Sequence, residues 1–99
     1  MCGIAGELNF VKKVDVSKVK LMTDAIIHRG PDDEGFYCKE EIGLGHRRLS
    51  IIDLSESGRN PIWTADKSMV IVFNGEVYNY TEIRAELKTK GYSFSSNTD

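Results

Sequence analysis

The sequence predicts a small α+β fold, and three observations carry that expectation. Residues 15–27 and 79–90 each gather apolar side chains on one helical stripe, and residues 36–47 read as a β-hairpin. The third is Met69-Val70-Ile71-Val72-Phe73, an unbroken apolar run of the kind expected of a strand covered on both faces. Ninety-nine residues with 40% hydrophobic and 28% charged content fit one domain with a modest core. A net charge of -2 supplies no basic footprint, which argues against nucleic acid as a partner. No apolar run approaches the roughly 20 residues of a membrane span, and no signal peptide is evident. The two cysteines, Cys2 and Cys38, are therefore expected as free thiols in a reducing cytoplasm.

Taken in order, Cys2 to Phe10 alternates loosely and predicts a first strand, and Lys12 to Asp15 a polar turn. Asp15 is an expected N-cap for a helix to about Ile27, with Val19, Met22, Ala25 and Ile26 on its buried stripe. In His28-Arg29-Gly30-Pro31-Asp32-Asp33-Glu34-Gly35, Pro31 drives Gly30 out of helical geometry, so a helix-to-strand connection is expected. His28, Arg29, Asp32 and Asp33 read as groups that order this loop. Phe36-Tyr37-Cys38 starts a strand, Lys39-Glu40-Glu41 turns, and Ile42 to Arg47 returns; Cys38 reads as a structural thiol. Leu49, Ile51 and Ile52 are core candidates, and Leu54 to Asp66 reads as a loop rich in Ser, Gly, Asn and Pro. After the apolar run, Asn79 and Glu82 have capping-box spacing for a helix to Lys90 that buries Tyr80, Ile83 and Leu87. Glu86 and Lys90 can pair, Gly91 stops the helix, and Tyr92 and Phe94 restart a strand. The ending at Ser95-Ser96-Asn97-Thr98-Asp99 reads as the edge of a fragment.

Three places carry chemistry. If Met1 is removed, Cys2 holds a thiol and a free α-amine on one residue, which makes a nucleophile with its own general base. Thiols and α-amines both titrate near ~8, so a useful share of the amine is unprotonated at neutral pH. In His46-Arg47-Arg48, strand alternation sends neighbours to opposite faces. An arginine aimed into a sheet interior needs an anion beside it, and the α-carboxylate of an amino acid would serve. Asn74-Gly75 is by itself best read as a type I′ hairpin turn. The alternative is an oxyanion hole built from the Asn74 amide and the Gly75 N–H. The histidines and cysteines lack metal-site spacing.

Met-Cys-Gly-Ile at the start, His-Arg-Gly-Pro-Asp at 28–32, His-Arg-Arg-Leu-Ser-Ile at 46–51 and Phe-Asn-Gly-Glu-Val-Tyr-Asn at 73–79 together resemble the class II, N-terminal-nucleophile glutamine amidotransferases. The likeness is strongest to the glutaminase domain of glutamine-dependent asparagine synthetases and covers essentially the whole chain. It implies a partial four-layer α/β/β/α sandwich of mainly antiparallel sheets, with residues 1–99 as the N-terminal part of the domain. It also implies Cys2 as nucleophile, Asn74 and Gly75 as oxyanion hole, Arg48 on the glutamine α-carboxylate, and Glu76 and Asp99 at its amino end. The implied activity is glutamine hydrolysis that feeds ammonia to an ATP-dependent amidation of aspartate. The implied partners are glutamine and a C-terminal synthetase domain, with a homodimer as candidate assembly and neither nucleic acid nor membrane. No cofactor is expected in this segment; ATP and Mg belong to the missing synthetase domain. A relative with another ammonia acceptor, or a non-catalytic α/β module, would share most of these features.

Overall fold

The computed structural model describes residues 2–50 and 59–94. Its organising element is a central strand with Gly43, Gly45 and Arg47 on one face and Ile42, Leu44, His46 and Arg48 on the other. This strand, β3 (Ile42–Arg48), runs between β1 (Gly3–Leu8) and β2 (Asp33–Lys39), antiparallel to both. The registers Gly3↔Arg47 and Glu34↔Arg47 fix which side chains share a face. The β2–β3 connection is the expected tight turn, with Glu40 at φ 53. Residues 9–14 fold over that turn, where Asn9 and Val14 donate backbone N–H groups to the carbonyls of Glu41 and Glu40, both at 2.7 Å.

Helix α1 (Val16–Ala25) lies across the odd-numbered face of β3. Asp15 caps it as expected, its carboxylate accepting from the Ser17 N–H at 3.0 Å and from the Ser17 hydroxyl at 2.6 Å. Those bonds hold the Asp15 carboxyl below its ordinary titration range. The helix ends two residues before the expected Ile27 and tightens into a 3-10 turn, Ile27–Arg29. Its buried stripe differs too. Val19 and Thr23 are both 0% exposed, whereas Ala25 is exposed. The reason is close approach: a Cβ at Gly43 would sit 2.6 Å from Val19, and one at Gly45 would fall on the Thr23 hydroxyl. Thr23 tolerates this burial because its Oγ1 donates to the Val19 carbonyl at 2.8 Å.

The opposite face of the sheet receives the second half of the chain. Asn60 is buried there, and its carbonyl approaches Gly35 so closely that a Cβ at position 35 would collide with it. Tyr37 meets Trp63 edge to face at 5.1 Å between centroids. The expected loop 54–66 contains a short strand, β4 (Ile62–Trp63), which pairs antiparallel with β5 (Val70–Ile71). Ile51, Ile52 and residues 54–58 of that loop lie outside the described residues.

Four expectations are corrected. The apolar run 69–73 is strand only at Val70–Ile71 and is not covered on both faces, since Met69 is 66% and Ile71 53% exposed. Its partner strand offers only two residues, and Phe73 is diverted from the ladder by side-chain hydrogen bonds described below. In α2 (Tyr80–Thr89), Asn79 holds the N-cap position without a side-chain capping bond. Its backbone, φ -101 and ψ 30, is not in the extended region that such a bond requires. No residue of α2 is buried, so Tyr80, Ile83 and Leu87 form no inner face against this sheet. Tyr92 and Phe94 form no strand; Phe94 instead packs under the Arg84 guanidinium at 4.9 Å. The Glu86–Lys90 pair at 3.2 Å and the left-handed Gly91 at φ 92 are as expected.

Gly35→Ala tests the docking of the two halves. The added methyl meets a backbone carbonyl that cannot rotate away, so a loss of roughly 1–3 kcal/mol is expected in denaturant unfolding. Faster amide exchange at Phe73 should accompany it. Wild-type stability in this variant would show that the Gly35–Asn60 contact is not made in solution.

Candidate active site

The period of two along a strand decides which residues can meet. Ile4 stands opposite His46, and Asp33 opposite Arg48, so the even-numbered side of β3 shares a face with Ile4, Asp33 and Gly35. Continuing the β1 register one residue outward brings Cys2 beside Arg48. Both arginines are buried, at 6% exposure for Arg47 and 7% for Arg48, but on opposite sides of the sheet. Arg47 turns toward α1, where its anion is Glu34 at 2.7 Å. Arg48 turns toward the face that carries Cys2 and His46.

Cys2 is half-buried and held at two points. Its carbonyl accepts from Arg29 Nε at 3.1 Å. Its Sγ accepts from the Leu49 N–H at 3.3 Å and lies 3.7 Å from the Leu49 carbonyl, to which the thiol can donate. The sulfur therefore sits among backbone polar groups at the end of β3, not in hydrocarbon. Of the groups expected to order this connection, Arg29, Asp32 and Asp33 make such bonds, although Arg29 ends the 3-10 turn and Asp33 opens β2. Asp32 accepts from the Ser50 N–H at 2.8 Å and donates its own N–H to the Arg48 carbonyl at 3.0 Å, while Asp33 pairs with Arg59.

His46, 1% exposed, joins the two halves of the chain. Its Nε2–H donates to the Phe73 carbonyl at 2.9 Å, since that oxygen can only accept. The Phe73 N–H in turn donates to Asn60 Oδ1 at 3.0 Å. Two buried polar side chains thus deliver residues 73–75 to the face that carries Cys2 and Arg48. The hairpin reading of Asn74-Gly75 fails: a type I′ turn needs positive φ at both positions, neither has it, and no strand follows. Asn74 is half-buried, whereas Gly75 and Glu76 are exposed. Cys2 and Arg48 thus share one face of the sheet by register, and the His46 and Asn60 bonds hold Phe73, which leads into Asn74-Gly75 and Glu76, against that face. Asp99 lies outside the described residues, as does Met1.

Sequence reasoning missed His46 and Asn60 as the groups that deliver this segment. Their only signal was a polar residue inside an otherwise strand-like or turn-like pattern. A cleft of about 810 Å³ lies elsewhere, between β4–β5 and α2, lined by Trp63, Met69, Tyr80, Ile83, Tyr92 and Phe94 among others; none of the candidate site residues among those described borders it.

Comparison with known proteins gives the family. The family model for the glutamine amidotransferase domain matches residues 1–99. The chain is 45% identical to asparagine synthetase [glutamine-hydrolyzing] 1 of Bacillus subtilis (strain 168), over 100% of its own length and 16% of the relative's. It is 42% identical to a putative asparagine synthetase [glutamine-hydrolyzing] 2 of Methanocaldococcus jannaschii, over 85% of this chain and 20% of that one. It is 39% identical to asparagine synthetase [glutamine-hydrolyzing] of Zea mays, over 100% and 17% respectively. The chain thus spans 16 to 20% of the length of these relatives.

His46 gives this site a pH signature. Burial first, and the nearby Arg48 charge second among the lowering effects, push its pKa below the ordinary 6.5, while the Phe73 carbonyl and Asp33 pull upward. The unfolded chain therefore binds a proton that the native state refuses. This contribution to stability is complete above pH 6.5 and declines as pH falls below it. Ring-proton NMR should show His46 titrating below 6.5, and a midpoint at or above that value would contradict its burial against Phe73.

Proposed function

Because this chain belongs to the glutamine amidotransferase domain family, we propose that it is the glutamine-hydrolysing half of an asparagine synthetase, releasing ammonia for ATP-dependent amidation of aspartate. The aspartate acceptor follows the three relatives above, which are named as asparagine synthetases. Residues 1–99 are proposed as the N-terminal part of the domain, to be completed as a four-layer sandwich. The two-sided covering of β3 and the exposed apolar residues of β5 support that completion. The single observation that carries the reaction is the sharing of one sheet face by the Cys2 sulfur, Arg48 and the segment pinned through Phe73.

The proposed chemistry begins with removal of Met1, which leaves the Cys2 α-amine free to take the thiol proton. Sulfur attacks the side-chain amide carbon of glutamine, and a C–S bond forms as the carbonyl oxygen gains negative charge. The Asn74 side-chain amide and the Gly75 N–H would donate to that oxygen, each contributing on the order of 10²-fold in rate. The amide nitrogen takes the proton back from the Cys2 ammonium and leaves as ammonia with the broken C–N bond. Water then adds to the thioester, the C–S bond breaks and glutamate departs. Arg48 would hold the glutamine α-carboxylate as a bidentate fork, and Glu76 and Asp99 its ammonium. No step calls on a cofactor; ATP and Mg are assigned to the synthetase domain, with a homodimer as candidate assembly. A cytoplasmic location is proposed on the two free thiols, and no helix among the described residues is long and apolar enough to cross a membrane.

Two substitutions in the protein that carries this chain test the assignment. Cys2→Ala should lower glutamine-dependent synthesis by ~10³-fold or more while ammonia-dependent synthesis continues. Arg48→Lys should raise the glutamine KM by roughly 10- to 100-fold, because a point charge replaces a two-pronged hydrogen bond. Glutamine use by the alanine variant, or an unchanged KM in the lysine variant, would contradict the respective role.

A further inference from the structure

We propose that Arg47 is a positioning residue for the Cys2 nucleophile, acting through the turn at Gly30 and Arg29; this rests on the reading of Cys2 given above. Arg47 is the arginine that faces away from the proposed substrate. Its guanidinium is buried between the sheet and the end of α1, with Nε donating to the Gly30 carbonyl at 2.9 Å and Nη1 to Glu34 Oε2 at 2.7 Å. Glu34 is steadied in turn by Lys20, whose Nζ lies 3.1 Å and 3.3 Å from its two oxygens and 2.8 Å from Asp24 on α1. Arg47 therefore ties the 28–32 turn to a fixed lattice of helix and sheet.

Among the described hydrogen bonds, one joins that turn to the nucleophile. Arg29, the neighbour of Gly30, donates Nε to the Cys2 carbonyl at 3.1 Å. Gly30 also presses on β3 so closely that a Cβ there would overlap the Arg47 backbone, so the turn has one seat. Once Met1 is gone, Cys2 is a chain end, and chain ends fray unless tied down. Among the described hydrogen bonds beyond the strand ladder, its two ties are the Arg29 bond at the carbonyl and the Leu49 backbone, N–H and C=O, at the sulfur. A nucleophile that shares its residue with its base needs both atoms oriented at once. A displacement of ~1 Å is enough to cost about 10²-fold in rate. Loosening Gly30 would release Arg29, and through it one of the two ties. Arg48 touches the same turn through its backbone, where its carbonyl accepts from the Asp32 N–H, but its side chain lies on the opposite face and would keep its hold on substrate.

The test compares Arg47→Lys, Glu34→Gln and Val19→Ala in the protein that carries this chain, with steady-state glutamine hydrolysis and thermal unfolding measured for each. Arg47→Lys can satisfy Glu34 or Gly30 but not both, so kcat is expected to fall about 10- to 100-fold while the glutamine KM stays within about threefold. Val19→Ala removes packing in the same layer without touching the chain of bonds, so it should lower the melting temperature and leave kcat within about twofold. Should Arg47→Lys fail to fold, Glu34→Gln keeps the Gly30 bond but weakens its anchor, and a several-fold fall in kcat at unchanged KM is expected. The proposal is overturned by a wild-type kcat in the folded Arg47 or Glu34 variant, by a loss confined to KM, or by an equal kcat loss in Val19→Ala. Failure of the underlying reading looks different, because Cys2→Ala would then retain glutamine hydrolysis.

Discussion

The alternation of β3 is the constraint on which everything else depends. His46, Arg47 and Arg48 are consecutive, and a strand sends them to opposite faces whatever their charge. One face must then accept a helix and a buried guanidinium, while the other accepts a second guanidinium, a neutral imidazole and the incoming segment 60–75. Gly43 and Gly45 make the first possible by letting α1 approach the strand backbone. A one-residue slip of register would exchange the two faces and carry both arginines to the wrong environment. Function and topology are thus set by the same pairing.

Among the described residues, Val14 and Val19 are the buried hydrophobics, whereas Thr23, His46, Arg47, Arg48 and Asn60 are the buried polar groups. Such groups are tolerable only when hydrogen-bonded; Thr23 bonds back along its own helix, whereas the bonds that His46, Arg47 and Asn60 make reach across elements. Geometry of this kind specifies where segments sit more sharply than hydrocarbon packing can. Its cost is desolvation, and His46 shows it by refusing a proton. The apolar surface of β5 and the cleft beside α2 complement this picture. In the proposed four-layer domain they are the surfaces that further elements would cover.

Much of this was legible from residue patterns, and the exceptions have identifiable causes. Asp15 as N-cap, the 36–47 hairpin and the Glu86–Lys90 pair are local features, and local chemistry settled them. The stripe of α1 was misjudged at Thr23 because a threonine looks polar until the Gly45 opposite it is known. The apolar run 69–73 was read as a fully covered strand. Nothing in its composition announces that Phe73 spends its N–H and C=O on Asn60 and His46, side chains 13 and 27 positions away. The capping box at Asn79 had the spacing but not the backbone angles. For the site, motif order pointed to Cys2, Arg48 and Asn74-Gly75, and strand parity explains why the first two share a face. The supporting groups His46, Asn60 and Arg47 were hidden because their roles exist only across long sequence separations.

The central claim is that a terminal thiol and its own amine face a seat for glutamine. Its most direct test is mass spectrometry of the protein that carries this chain, before and after treatment with a diazo-ketone analogue of glutamine. The account expects an untreated mass short by one methionine and a single adduct mapping to Cys2, with glutamine protecting against it. Active protein that retains Met1, or labelling at Cys38 instead of Cys2, would contradict it.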